Sequence, residues 1–347
     1  MKCKIIIIMI AILATSASSC NRDELFTREH YKAVVAVKSE GGFNIFAQEH
    51  DLSKVDANGF SDGFISANIG GSLPTDNPVR LSIVMDDALL HSYNKRNFGT
   101  ESYRYAHLIP SDRFSIANMS INIPAGERNG RMNIRIRPTG LSPDSIYLIP
   151  FRVDNSSAYE LNLEKSTVLY QVHLKNFWST TRAIPNFNHR GTRYTLPFPE
   201  KFIPPATVAE DGDILVGNPS YINKSVYPVS ADEIRFFGGD KSYNSKENQE
   251  AAIAQWSVRV KINNLLLIES GQAVGVTISA WNSTEQGFKV TQIDGDPKFP
   301  NTFQIVNDGF GKFFKTFLLC YKYSLPDSGD EYLIKEELTT EYVKEVK

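Results

Sequence analysis

An all-β protein of two domains is what this sequence predicts, and three observations predict it. Apolar and polar residues alternate with a period of two over many short runs, as half-buried antiparallel strands require. Turn signals separate those runs at short intervals: Gly41-Gly42, Gly70-Gly71, Pro124-Ala125-Gly126, Asn129-Gly130 and Pro138-Thr139-Gly140. The length, 347 residues, exceeds one ordinary domain of roughly 100–200 residues. Hydrophobic residues make up 41% and charged residues 22%, so each domain has the means to bury a core. A formal charge of −2 lacks the surplus of Lys and Arg that neutralising phosphates demands, which sets nucleic-acid binding aside. Three cysteines make no disulfide framework.

The expected elements run as follows. Residues 33–38, 80–85, 119–123, 132–137, 146–153 and 167–174 read as strands of a β-sandwich. A short helix fits residues 86–93, with Asp86 and Asp87 capping its N-terminus and favouring its dipole. Residues 176–205, rich in Pro, Asn, Arg and aromatics, read as a domain boundary near Thr180. Strands resume at 214–216, 233–237, 255–262, 273–281, 303–306 and 313–323. The charged segment 331–346 fits a closing strand or a helix equally.

The N-terminus has a logic of its own. Lys2 and Lys4 precede an unbroken apolar run, residues 5–13, and a small-residue stretch leads to Cys20. The run is too short for a membrane span of about 20 residues, and it suits the core of a signal peptide. A cysteine after small residues resembles the lipobox of bacterial lipoproteins in its Bacteroidetes form, which implies cleavage after residue 19 and acylation of Cys20. Asn21, Arg22, Asp23 and Glu24 resemble the surface-export signal of the same lipoproteins, and so imply the outer membrane with the protein facing the medium. The competing reading is an ordinary secretory leader. Cys320, in an apolar run, is expected to be a buried and inert thiol.

Further in, Val84-Met85-Asp86-Asp87-Ala88-Leu89-Leu90 with Tyr93-Asn94, Ile123-Pro124-Ala125-Gly126 and Tyr147-Leu148-Ile149-Pro150-Phe151 resemble the immunoglobulin-like N-terminal domain of many Bacteroidetes surface lipoproteins. Tyr227-Pro228-Val229-Ser230-Ala231-Asp232-Glu233-Ile234-Arg235-Phe236 and Tyr321-Lys322-Tyr323 resemble a β-barrel partner domain of unknown function. The resemblance implies an immunoglobulin-like β-sandwich followed by a calycin-like antiparallel barrel. It divides the chain into a signal peptide (1–19), a lipidated linker (20–29), a sandwich (30–178) and a barrel (179–347). It further implies a polysaccharide-utilisation role, with a TonB-dependent importer or a hydrolase as neighbour.

Enzyme chemistry finds little purchase. Glycoside hydrolysis needs two facing carboxylates. The string nearest to a family-18 signature, Ile293-Asp294-Gly295-Asp296-Pro297, meets Pro and Lys298 where the acid should follow, and it reads as a turn. The six histidines are scattered without metal spacing. Asp211-Gly212-Asp213 and Asp294-Gly295-Asp296 each offer two acids where calcium takes six to eight oxygens. No cofactor or metal is expected.

Sugar binding asks for an exposed aromatic ring with amides beside it. Strand parity puts Trp256 with Val258 and Val260 in the core. It puts Trp281 opposite Val274, Val276 and Ile278, ahead of an amide-rich loop beginning at Asn282. Trp281, Asn282 and Tyr243 are thus the candidate glycan site. The competing roles for Trp281 are packing under a loop or lining a barrel interior. Trp178 is expected to pack between domains. Arg182, Arg190 and Arg193 are expected in local ion pairs. Asp144-Ser145-Ile146 resembles a Bacteroidetes O-glycosylation motif. The expected function is non-catalytic glycan capture at the cell surface, and the alternative is an adhesive or structural protein that binds protein partners.

Overall fold

In a computed structural model the described residues are 31–196, 217–239, 253, 255–268, 271–282, 288–325 and 328–343. Cys20, residues 21–24, Asp211-Gly212-Asp213, the expected strand at 214–216 and Tyr243 lie outside them. Strands dominate, as alternation predicted. The first half carries β1 (Val34–Val37), β2 (Ile45–Asp51), β3 (Ser61–Ile69), β4 (Val79–Met85), helix α1 (Asp87–Phe98), β5 (His107–Leu108), β6 (Phe114–Ser115), β7 (Ser120–Ile123), β8 (Asn129–Ile136), β9 (Tyr147–Ser156), β10 (Glu160–Leu161) and β11 (Thr167–Lys175). The second half carries β12 (Asn186–Thr195), β13 (Gly217–Ser225), β14 (Tyr227–Pro228), β15 (Glu233–Phe237), β16 (Ser257–Ile262), β17 (Val274–Ala280), β18 (Lys289–Gln292), β19 (Thr302–Asn307), β20 (Phe313–Ser324) and β21 (Glu331–Tyr342).

By contact the chain forms two compact units. One runs through Gln48, Asp62–Ile136 and Ile146–Val172, and the other takes Glu49–Ser61, Arg137–Ser145 and His173 onward. Two stretches from the expected first domain therefore pack with the second unit. The first half's strands make a curled sheet in the order β10-β1-β3-β8-β7-β4-β9-β11-β2. Helix α1 begins where two acids allow it. The Asp86 carboxylate accepts from the Ala88 N–H at 3.1 Å and caps the first turn. The helix runs five residues past the expected end and stops at Gly99, whose φ of 57° a Cβ-bearing residue resists. Leu90 and Tyr93 bury its inner side with Leu148 and Leu169.

Asn129-Gly130, expected as a turn, instead opens β8. A Cβ on Gly130 would lie 2.4 Å from the Asn122 carbonyl oxygen, so the glycine serves close strand approach rather than reversal.

The second half's strands form a nearly closed antiparallel barrel-like sheet in the order β13-β12-β21-β20-β19-β17-β16-β15-β14. Closure follows from chain connectivity: Val226 alone separates the two outermost strands, β13 and β14. The inner face carries Phe187, Ile234, Phe236, Val258, Val260, Ile278, Phe303, Phe317, Leu319, Ile334 and Leu338. Of the charged segment 331–346, Glu331–Tyr342 is strand β21, which decides for a strand over a helix there. The stretch expected as a boundary holds β12, paired on both sides, because Phe187 and His189 are buried on the inner face and Tyr194 on the opposite face with Cys320 and Leu333 despite the polar composition. Trp178, expected to pack between domains, sits in the core of this second unit, 5.6 Å from the Phe303 ring centroid. Trp256, expected as core, is half-buried at its edge against Phe288, since the regular strand starts only at Ser257.

Candidate functional site

Charged side chains are placed on both faces of the barrel-like sheet, and the two faces treat them differently. On the inner face, Glu336 of β21 is fully buried. Lys224 brings its Nζ to 2.5 Å from Oε2, His189 brings Nε2 to 2.9 Å from the same oxygen, and the Tyr321 hydroxyl donates to Oε1 at 2.8 Å. The Gly239 N–H in turn donates to that hydroxyl at 2.9 Å. Burial pushes the Glu336 carboxyl up, but Lys224 and His189 outweigh it and hold it below its ordinary value. Burial, and then the neighbouring Glu336, push the Tyr321 hydroxyl well up. Both oxygens of Glu336 are thus engaged within a buried network.

Next to it on the chain, Lys335 points to the other face and meets Asp296 at 2.5 Å. Asp296 also accepts from the Lys298 and Phe299 N–H groups, so the Asp294-Gly295-Asp296 string is a turn, as expected, pinned to the sheet. Cys320 lies buried beside it. Burial, then the charge of Asp296, push its thiol up to about 12, which keeps it an inert thiol.

The outer face of β14–β17 carries a row fixed by strand register. Tyr227 pairs with Arg235, Arg235 with Arg259, and Arg259 with Ser279. Two residues on from Ser279, the same parity brings Trp281 to this face, as the alternation predicted. Its ring is half-buried, and the guanidinium carbons of Arg235 and Arg259 lie 5.3 and 5.1 Å from its centroid. Arg235 also lies 4.5 Å from the Tyr227 ring. Asp144 grips both terminal nitrogens of Arg235, its Oδ2 accepting from Nη1 at 2.9 Å and its Oδ1 accepting from Nη2. Burial pushes the Asp144 carboxyl up, against the pull of Arg235. Asn282 is exposed at the end of the row. Of the three expected glycan residues the structure thus brings Trp281 and Asn282 to one place. Trp281 is no bare ring, because two arginines lie over it.

Sequence reasoning missed Arg235, Arg259, Tyr227 and Asp144. The signal existed for the arginines: Arg235 and Arg259 alternate with Ile234, Phe236, Val258 and Val260, so each must face outward. Asp144 belongs to the expected glycosylation motif, and its carboxylate is engaged by Arg235. Of the arginine group, Arg182 lies in the field of Glu49 and His173, and Arg193 lies over the Tyr332 ring at 4.8 Å. A further cluster went unseen. Burial first, then the charge of His173, push the His50 ring down to about 4. Among the described residues no group of three or more His, Cys, Asp or Glu is placed to hold a metal.

With this geometry in hand, comparisons place the chain. A family model for a C-terminal domain matches residues 166–339, and one for an N-terminal domain matches residues 31–160. No curated protein matches the sequence. Solved structures share the fold over most of the chain. One is a multidomain protein including DUF1735 from Bacteroides ovatus, at 15% identity and a TM-score of 0.59, covering 88% of this chain and 94% of its own. Another is a protein of unknown function from the same organism, at 14% identity and a TM-score of 0.57, covering 89% and 94%. A third is described as an auxiliary nutrient binding protein from Bacteroides thetaiotaomicron, at 14% identity and a TM-score of 0.56, covering 87% and 91%. The chain therefore belongs to the Bacteroidetes protein family, of unknown function, that this C-terminal domain defines.

Proposed function

We propose that this protein is a surface lipoprotein that captures glycan without cleaving it, through the outer face of β14–β17. The observation that carries the proposal is the row of Tyr227, Arg235, Arg259 and Trp281 ending at the exposed Asn282, which offers aromatic surface and polar donors side by side. The fold shared with a protein described as nutrient binding supports it. The carboxylates around the row support binding over hydrolysis. Among the described residues Asp144 is engaged by Arg235 and Asp232 by Lys261, while Glu233 lies 4.0 Å from Arg259, so none of these three stands as a free acid. The lipid anchor at Cys20 and the export signal at residues 21–24 would hold the binding unit at the outer membrane, facing the medium. Captured glycan would pass to a neighbouring importer or hydrolase.

The test is a glycan array with the soluble chain from Asn21 onward, beside Trp281→Ala. Binding to one glycan class that is lost in the variant supports capture at this face. Binding that survives the substitution keeps capture and moves the site elsewhere.

The adhesive alternative rests on a different observation. Phe310, 93% exposed at the β19–β20 turn, and Leu266, 87% exposed, lie at the same end of the barrel-like sheet. The Asp308 carboxylate fixes that turn by accepting from the Phe310 and Lys312 N–H groups. Silence across plant, host and microbial glycans, with protein binding abolished by Phe310→Ser, would favour it.

A further inference from the structure

The cations of the second unit differ in what they are given to do. Lys224 is spent on Glu336, Lys335 on Asp296 and both terminal nitrogens of Arg235 on Asp144. Arg259 is the least engaged of them, with a long ion pair and, among the described residues, no hydrogen-bonded carboxylate. Its nearest carboxylate oxygen, Glu233 Oε2, stands 4.0 Å from Nε, beyond hydrogen-bond distance, and among the described residues its Nε donates to nothing. Its side chain is 38% exposed. Yet it is not a loose surface arginine, because its guanidinium lies over the Trp281 ring and its backbone sits in the middle of a paired strand. A planar fork of donors held in place, half open to water, is the form in which proteins recognise carboxylates.

We infer that the outer face of β15–β17 binds the carboxylate of an acidic sugar, a uronic acid residue of a polysaccharide, with Arg259 as its direct partner. Trp281 is the shelf that holds the fork, and Asn282 offers an amide to the sugar hydroxyls. Arg235, locked to Asp144, adds positive edge without competing for the ligand. This rests on the glycan-capture proposal and narrows it. A neutral pyranose stacking on Trp281 would have to displace arginines already lying over the ring, whereas a carboxylate can approach the exposed part of the Arg259 guanidinium without displacing it. The sugar ring then packs beside the indole rather than flat on it.

The experiment is titration calorimetry with the soluble two-unit chain from Asn21 against oligogalacturonate, alginate, glucuronoxylan and hyaluronan fragments, beside neutral mannan, xylan and starch fragments. For any acidic chain that binds, its methyl-esterified form is measured too, since esterification removes the charge and keeps the sugar. Binding to an acidic chain should weaken by about tenfold or more on esterification, and by a similar factor in Arg259→Gln. It should also weaken as salt rises. Arg259→Lys, which keeps charge but loses the fork, should fall between. Should Arg259→Gln fail to fold, the ester comparison on the unaltered protein and Arg259→Lys decide the matter.

Binding confined to neutral glycans, or acidic binding indifferent to the ester and to Arg259, would overturn this inference and leave capture standing. Silence towards acidic and neutral chains alike would overturn both.

Discussion

Two groups of charge lie on opposite faces of one sheet and are built on opposite terms. Inside, Glu336 gathers Lys224, His189 and Tyr321 where water does not reach, and both of its oxygens are taken. Outside, Arg235 and Arg259 share one indole; Asp144 takes both terminal nitrogens of Arg235, while among the described residues no carboxylate lies within hydrogen-bond distance of the Arg259 Nε. Removing a charge from water costs several kcal/mol, so a buried charge persists only where its partners are complete. The inner group obeys that rule and has nothing left to offer a ligand. In the outer group Arg235 is buried and held by Asp144, and Arg259 is ordered by stacking and register while its side chain stays 38% exposed, which is the condition for binding without a large ordering cost. Completeness of partners, more than the presence of charge, separates a structural cluster from a binding one in this domain.

The comparison breaks most visibly at Glu336. Glu336→Gln keeps the shape and removes the charge, leaving Lys224 buried without a counter-ion. A loss of about 3–5 kcal/mol in unfolding free energy is expected by denaturant titration. Glycan binding by the fraction that remains folded should be unchanged. A loss below about 1 kcal/mol would mean that Lys224 finds water, and the inner network would no longer count as sealed.

Acid provides the next largest effect. The His50 ring is buried and pushed down to about 4 from 6.5. The unfolded chain therefore takes up the proton first as pH falls. The stabilisation is complete above about pH 6.5 and disappears as pH drops through about 4, a loss of about 3 kcal/mol across that window. Glu336, held below its ordinary value, works in the same direction at lower pH, in and below the usual carboxylate range. Melting temperature followed from neutral pH to about pH 4 should fall for the unaltered protein and fall less steeply for His50→Gln. Equal slopes would remove His50 as the cause.

Much of this was legible in the residues, and the gaps have physical reasons. Strands whose inward positions are Val, Ile, Leu or Phe announced themselves, as at 233–237, which is strand β15 to the residue. Asp86 announced a cap because side chain and backbone partner lie two residues apart. β12 was hidden because its inward positions include His189 and Gly191, and a Cβ at Gly191 would come within 2.7 Å of the His189 Nε2. Lys335-Glu336-Glu337 reads as a solvated charge run, and the partners that bury its first two members, Asp296 and Lys224, are far away in sequence. The outer row shows the same limit. Parity gave the face on which Trp281 lies, but only strand register sets Arg235 and Arg259 over it.

A smaller change tests the outer group from its locked side. Asp144→Asn should cost about 2 kcal/mol, less than Glu336→Gln, because the Asp144 side chain is 23% exposed and water can partly replace it at Arg235. It also frees the two terminal nitrogens of Arg235. If unspent donors are what make a binding face, affinity for acidic glycan should rise even as stability falls. A parallel fall in both would mean that Asp144 positions the row, and that Arg235 must stay locked for Arg259 to work.

The smallest expected change in stability is at Trp281. The side chain is half-buried at a strand end, and its contacts with two guanidinium groups are each of the kind worth about 0.5–1 kcal/mol where water is near. Trp281→Phe keeps an aromatic face under both arginines and should shift unfolding by about 0.5 kcal/mol, whereas Trp281→Ala should cost about 1–2 kcal/mol. Binding separates the two substitutions more sharply than stability does. With Phe the fork of Arg259 keeps a shelf, so affinity for an acidic chain should survive within a small factor. With Ala the same fork has nothing beneath it, its rotamers multiply, and their ordering is charged to the ligand as a weaker affinity. Calorimetry of the two variants beside Arg259→Gln therefore distinguishes a tryptophan that touches sugar from one that holds an arginine. If Phe is as damaging as Ala while Arg259→Gln is mild, the indole itself is the contact. If Phe is tolerated and Arg259→Gln is not, the indole acts through the arginine.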